Sequence, residues 1–283
     1  MISFISAGLY SSLQDAGRTG YRHMGVPICG AMDLFSFQLA NSLLDNPVNM
    51  PVLEFTSPGP KLQFLESAEV VVTGANFRLD LDGEPIITNK KIIVPKGGML
   101  NLGNASTGFW GYLSVKGGFM AERILNSASY CSGVTSTSVF KKGDVLTFNK
   151  SQEPEARPNN ALLKMNGATK EFKKIIVFKG PEFGSLSKRM QEELFNGEIT
   201  VSSISNRMAY VLDHSYSFKA KEILTAAVQP GTVQLTPSGK LIVLMRDAQT
   251  TGGYARILQL TENSMNILAQ RRPGESVCFQ LMS

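Results

Sequence analysis

A chain of 283 residues, 43% of them hydrophobic and 18% charged, has enough apolar content for one large or two ordinary domains and excludes a disordered polypeptide. Its net charge of +5 comes from scattered basic residues, in short pairs such as Lys90-Lys91 and Arg271-Arg272, so no basic stripe offers itself to nucleic acid. The first residues lack a basic stretch and reach Gln14-Asp15 too early for a signal peptide. No apolar run nears the ~20 residues of a membrane span, and the expectation is a cytoplasmic protein.

The first clear element is a helix in "GAMDLFSFQLANSLLDNP". Asp33 can accept from the free N–H groups at its start. Phe35, Leu39 and Leu43 share one face at spacing four, with Ala40 and Leu44 beside them, and Asn46-Pro47 ends the helix. Strands then follow closely: "VLEF" (52–55), "KLQFL" (61–65), "EVVVTG" (69–74), "FRLDL" (77–81), "EPIIT", "KKIIVP" (90–95), "MLNLG" (99–103), "WGYLSVKGG" (110–118) and "GDVLTF" (143–148). Asp82-Gly83 marks a hairpin. The stretch 149–164, with few apolar residues and two prolines, reads as a linker or surface crossing. Strands resume at "KKIIVFKGP" (173–181), a short amphipathic helix spans 185–197 with Gly197 as its stop, and six further strands run from "EITVSSIS" to "ESVCFQL". Short strands with Gly and Pro punctuation predict two β-rich lobes, residues 1–150 and 151–283, each with about one helix. The boundary is open, as is whether the N-terminal segment packs on the second lobe.

Polar residues gather in a few places. The segment "LQDAGRTGYRHMGVPICGAMD" (13–33) sets Gln14, Asp15, Arg18, Thr19, Arg22 and His23 among glycines whose backbone N–H groups can face an anion. Asp15 and Arg18 either serve such a site or pair to pin an irregular loop. His23 is either a structural hydrogen-bonding residue or a base. In "SISNRMAYVLD" (203–213), Arg207 sits at a strand entry. Gln234, between Val233 and Leu235, faces either a polar cavity or, by strand alternation, water on the outer pleat. In "RDAQTTGGYARILQL" (246–260) two threonines and two glycines interrupt what otherwise reads as a pair of strands, with more small hydrogen-bonding groups than a turn needs.

The P-loop, the Gly-x-Ser-x-Gly elbow, the His-Glu-x-x-His motif and the kinase signature are all missing. The three cysteines, far apart and without a Cys-x-x-Cys pair, suit a reducing compartment. With two histidines they could build a zinc site only by recruiting carboxylates, so no metal site is expected.

The segments "LQDAGRTGYRHMGVPICGAMD", "LEFTSPGPKLQF", "LSVKGGF", "VQPGTVQLTPSGKLIVLMRDAQTTGGY" and "RRPGESVCF" together resemble the family of 5-oxoprolinase C subunits, also called allophanate hydrolase subunit 2-like or biotin-dependent carboxyltransferase-like. The resemblance runs in order through nearly the whole chain. It implies a mainly β fold of two cyclophilin-like β-barrel lobes with a few helices. It also implies a heteromeric complex with a B-subunit-like protein and with the A subunit of 5-oxoprolinase. Such a complex opens 5-oxo-L-proline, a small-molecule substrate, to L-glutamate, with ATP shared with a partner subunit. Two alternatives come with it: a regulatory protein that antagonises a B-subunit-like kinase inhibitor, and the carboxyltransferase half of a biotin-dependent urea carboxylase-like system. For the last, no Met-Lys-Met biotin acceptor is present, and the similar "LKMNG" (163–167) lies in the linker.

Activation of a lactam oxygen by phosphate needs fixed donors at developing charge. Arg18, Arg207 and Arg246 with the amides of 250–253 suit that task, "AQTTGGY" forming one wall of a cleft and "QDAGRTG" the other. Candidate catalytic residues are Asp15, Arg18, His23 and Arg207. Candidate substrate- or anion-binding residues are Gln14, Thr19, Gln234, Gln249, Thr250, Thr251, Gly252, Gly253 and Tyr254. The chain departs from the family pattern at "LNSASY" (125–130), where relatives read Leu-Gly-Ser-Arg-Ser-Thr, and at "SNRMAY" (205–210), where they read Ser-Asp-Arg-Met-Gly-Tyr.

Overall fold

The computed structural model describes residues 1–136, 139–149 and 174–282. All of the predicted linker but Asn149, and the whole of "LKMNG", lie outside the described residues. The described residues fall into two compact units, one within Met1–Arg18 and Asp33–Met165, the other within Thr19–Met32 and Asn166–Ser283.

The first unit contains β1 (Ile2–Ser6), β2 (Ser11–Gln14), α1 (Leu34–Leu43), β3 (Val52–Thr56), β4 (Lys61–Phe64), β5 (Ala68–Phe77), β6 (Leu79–Leu81), β7 (Glu84–Ile86), β8 (Ile92–Val94), β9 (Met99–Asn101), β10 (Ala105–Val115) and β11 (Val145–Leu146). They form a six-stranded sheet, β11-β1-β4-β9-β6-β7, and a five-stranded sheet, β2-β3-β10-β5-β8. Ile2, Phe4, Leu62, Phe64 and Leu100 of one sheet meet Leu53, Phe55, Val70, Val72 and Leu113 of the other in a single core. The opposite face of the second sheet is covered by α1, with Thr73 Oγ1 donating to the Ser36 carbonyl at 2.7 Å and Ser114 Oγ to Asn41 Oδ1 at 2.8 Å. Burial on both faces explains the unbroken valine run of β5. The "SFIS" and "SSLQ" segments near the N-terminus, not expected as strands, complete these sheets as β1 and β2. At the Asp82-Gly83 turn between β6 and β7, both residues have positive φ, 53° and 88°, as a two-residue hairpin turn requires.

Helix α1 starts as its sequence predicts: Asp33 accepts from the Ser36 backbone N–H at 3.1 Å. Its buried face is a different one from the expected face. Ser36, Phe37, Ala40 and Asn41 are buried, followed by Leu44 just past the helix, while Phe35 is 50% exposed and Leu39 and Leu43 are half-buried. Asn41 can be buried because its amide is occupied by the Val48 and Met50 carbonyls and by Ser114.

The second unit contains β12 (Lys174–Lys179), α2 (Lys188–Asn196), β13 (Ile199–Val201), β14 (Ala209–Asp213), β15 (Ala226–Ala227), β16 (Thr232–Leu235), β17 (Leu241–Leu244), β18 (Thr251–Gly252), β19 (Ala255–Leu260), α3 (Glu262–Ala269) and β20 (Ser276–Leu281). Seven strands close a barrel in the order β12-β19-β16-β17-β14-β13-β20. Its β12–β20 seam is parallel and the other pairs are antiparallel. The chain is thus mainly β, with a closed barrel in the second unit and three α-helices among the described residues. Helix α3 has no counterpart in the sequence reading, although Thr261 caps it by accepting from the Ser264 N–H at 3.2 Å. Among the described residues no helix is long and apolar enough to cross a membrane.

Gly74 of β5 pairs with Gly111 of β10 where the register of the two strands shifts. Its φ is 92°, and a Cβ there would collide with the Trp110 carbonyl oxygen. Gly83 has φ 88° but opens onto free space. Gly74→Ala should therefore cost about 3 kcal/mol, from strain and collision together. Gly83→Ala should cost about 1 kcal/mol, from strain alone. Urea titrations of the two variants check the contrast, and equal losses would contradict it.

Candidate functional site

Strand β2 ends at Gln14, and the chain then bends through Asp15, Gly17 and Arg18. Gln14, Asp15 and Arg18 are at most 1% exposed. The Asp15 carboxylate is surrounded by donors. Its Oδ1 accepts from the Gly17 N–H at 2.8 Å and from the Ser127 and Ser129 hydroxyls at 2.6 Å each. Its Oδ2 accepts from the Ala128 N–H at 2.8 Å and faces Arg123 Nη1 at 3.5 Å. The Asp15 N–H in turn donates to Ser129 Oγ at 2.8 Å. A carboxylate saturated by hydroxyl and backbone donors fixes the 127–129 segment against the end of β2.

That fixed segment holds Arg18. Its Nη2 donates to the Ser129 carbonyl at 2.5 Å, while Nε and Nη1 are buried with no hydrogen-bond partner among the described residues. The ion pair that Asp15 and Arg18 could have formed is absent, and Arg123 takes that place. A buried guanidinium with two idle donors and no carboxylate is a costly arrangement, relieved when an oxyanion meets it. The departures at 125–130 leave this network intact. Ala128 contributes its backbone N–H, and Asn126, where the pattern has glycine, tolerates its φ of 63°.

Thr250 to Tyr254 belong to the second unit, so the expected walls, 13–18 and 250–254, are parts of different units. Strand β18, Thr251–Gly252, pairs antiparallel with β15, and Val228 N–H donates to the Thr250 carbonyl at 3.0 Å. The run of small residues is therefore a narrow ribbon. Gln249, Thr250, Gly252 and Gly253 are half-buried, and Thr251 and Tyr254 are exposed. Gln234 on β16 does not face water: it is 1% exposed, because all four residues of that strand are buried. Its Nε2 has no hydrogen-bond partner among the described residues and lies 2.7 Å from the place a Cβ would take on Gly252. Glycine at 252 is what lets the ribbon approach the amide.

Among the described residues, the other predicted residues join neither the Asp15 network nor the ribbon. Thr19 is exposed, and so is His23, in a single 3-10 turn (Arg22–Met24) where nothing among the described residues orients its ring. Arg207 is spent on structure, bonding Asp247 through Nε and Nη2 at 2.8 Å each and the Gly30 carbonyl at 2.6 Å. Asn206, where the family pattern has aspartate, accepts through Oδ1 from the Met208 and Ala209 N–H groups, as a carboxylate oxygen would. Arg246 pairs with Glu262.

Several polar groups around these elements have no counterpart in the sequence reading. Ser127, Ser129 and Arg123 complete the Asp15 network, and the Ser-Ala-Ser spacing was the available signal. Glu54, a fully buried carboxylate in the apolar strand β3, stands directly across from Tyr112 of β10. Burial, then the Glu54 and Asp33 carboxylates, hold the Tyr112 phenol well above its ordinary pKa, and its oxygen accepts from the Asp33 N–H at 2.8 Å. Among the described residues no three His, Cys, Asp or Glu side chains gather as a metal site.

Replacing Asp15 tests the network. Asp15→Ala strands the Gly17 and Ala128 N–H groups and two serine hydroxyls in a buried space and should cost about 3–5 kcal/mol. Ser127→Ala removes one donor and should cost about 1–2 kcal/mol. Guanidinium titration is the check, and an Asp15→Ala variant as stable as the parent would remove Asp15 from this role.

Residues 24–281 match the family described as carboxyltransferase domain, subdomain A and B. Over 290 residues the chain is 32% identical to the 5-oxoprolinase C subunit of Haemophilus influenzae, covering 100% of this chain and 92% of the relative. Two solved structures are similar throughout. TTHA0988 superposes with a TM-score of 0.87 at 28% identity, over 99% of this chain and 56% of that one. The urea amidolyase of K. lactis also gives 0.87, at 27% identity, over 100% of this chain and 19% of that one, so this chain corresponds to only part of each. With its full length matched to a 5-oxoprolinase C subunit, and nearly all of it to the carboxyltransferase model, the chain belongs to the carboxyltransferase subdomain A and B family.

Proposed function

We propose that this chain is the C subunit of an ATP-dependent 5-oxoprolinase, opening 5-oxo-L-proline to L-glutamate in complex with an A subunit together with a B-subunit-like protein. The observation that carries the reading is the match, over the full length of this chain and 92% of the relative, to a protein named for that subunit. The geometry offers a role that fits. A lactam is stabilised by resonance, and phosphorylation of its oxygen removes that stabilisation. Water then adds at the ring carbon, the C–N bond breaks with nitrogen leaving as the amine, and a second water hydrolyses the acyl phosphate to carboxylate and phosphate. Charge develops on oxygen at each stage, and a fixed donor pair in a dry site stabilises it.

Arg18 supplies such a pair, Nε and Nη1, held by Ser129 and behind it by Asp15. Asp15 is in this scheme a positioning residue, since its own oxygens are taken. The free donors of Arg18 fit one oxyanion, whereas the P-loop that commonly cradles a nucleoside triphosphate is missing from the sequence. ATP is therefore assigned to the partner subunits, with at most the transferred phosphoryl group reaching Arg18.

A second reading, half of a biotin-dependent carboxyltransferase, draws on the similarity to urea amidolyase. The two separate in one assay. Co-expressed with its A and B partners, the chain should release glutamate from 5-oxoproline only when ATP is present. Arg18→Met, which keeps the bulk and removes the charge, should lower kcat about a hundredfold or more with the melting temperature held or raised, because the lost charge was buried without a counter-ion. Glutamate release at the parental rate by folded Arg18→Met would overturn the role of Arg18. ATP-dependent carboxylation with no glutamate release would favour the second reading.

A further inference from the structure

The second unit contains a cavity of about 320 Å³ that none of the functional residues above lines. Three cations border it, Arg22, Lys179 and Arg256, over a wall that includes Val228 and Leu258. Arg256 is neutralised: its Nε and Nη2 bond the Glu182 carboxylate at 3.0 and 2.8 Å, and its Nη1 donates to the Ala227 carbonyl. That bonding holds Glu182 below the usual carboxylate range, so the pair stays ionised at neutral pH.

The other two cations have no such partner. Arg22 donates from Nη2 to the Val228 carbonyl, and its Nη1 is buried with no hydrogen bond among the described residues. The Lys179 ammonium stands 5.0 Å from the centroid of the Phe183 ring and, like Arg22, makes no ion pair among the described residues. With Arg256 and Glu182 cancelling, the cavity carries two uncompensated positive charges beside an apolar wall. Its volume is at the low end of the ~300–1,000 Å³ typical of ligand pockets. Burial lowers the Arg22 pKa, the direction expected of a charge that has lost water without gaining an anion.

We propose that this cavity binds a small oxyanion joined to a short apolar body, Arg22 and Lys179 taking the charge and Val228 and Leu258 the body. A carboxylate and a phosphate share the recognising chemistry. The Arg256–Glu182 pair acts as a fixed wall that keeps Glu182 from competing for the two free cations.

Calorimetry on the full chain without partners tests this independently of any oxoprolinase activity, with butanoate and inorganic phosphate as charged probes and butanamide as the neutral control. At least one charged probe should bind and butanamide should not. Binding should weaken about tenfold in Lys179→Met, a change at an exposed side chain, and at least as much in Arg22→Gln. Tighter butanoate assigns the cavity to carboxylates and tighter phosphate to phosphates. Lack of binding by both charged probes, binding of butanamide as tight as butanoate, or affinities unchanged in Lys179→Met would overturn the proposal.

Discussion

The carboxylate of Asp15 is the interaction on which the rest of the proposed site depends. It lies at the end of a strand whose residues are all buried, and it draws in a segment more than a hundred positions later through two hydroxyls and a backbone N–H. Each of those donors would be costly left idle in a dry interior, so the carboxylate and the 127–129 segment hold each other in place. The consequence for chemistry is indirect. The Ser129 carbonyl, fixed by this network, is the single side-chain anchor of Arg18 among the described residues, and an arginine held at one nitrogen presents the others in a set direction.

Five arginines separate by how their donors are used. Arg207, Arg246 and Arg256 each meet a carboxylate, so their charge is cancelled within the protein. They tie loops together and leave little for a ligand. Among the described residues, Arg18 and Arg22 bond only backbone carbonyls and keep buried donors free. Sequence motifs treat all five alike, because each is a basic residue beside glycines, hydroxyls or strand ends. The distinction lies in where the carboxylates fall, and that is decided by tertiary structure.

The same reason governs what the amino-acid order could reveal. Strand succession, the Asp82-Gly83 hairpin and the Asp33 cap are set by neighbours within a few positions, and each was legible. The buried face of α1 was not, because apolar spacing favoured Phe35, Leu39 and Leu43, whereas the sheet offered partners for Ser36 and Asn41. Alternation likewise misplaced the water-facing option for Gln234, since β16 is buried on both faces. Helix α3 carried its signal in Thr261 and in Met265, Leu268 and Ala269, on a stretch short enough to pass for a turn between strands. Asp15 stands out in its motif, but nothing near it points to its partners 108 to 114 positions away, whose one signal is their own Ser-Ala-Ser spacing.

Chemical rescue tests the central claim, that Arg18 acts through free guanidinium nitrogens held for an oxyanion. Arg18→Ala, assembled with its A and B partners, leaves room where the side chain was. Guanidinium ion added below denaturing concentrations should restore ATP-dependent glutamate release in a saturable way, while an alkylammonium of similar charge should restore far less. A folded Arg18→Ala complex that regains nothing from guanidinium, or that never lost activity, would contradict the account.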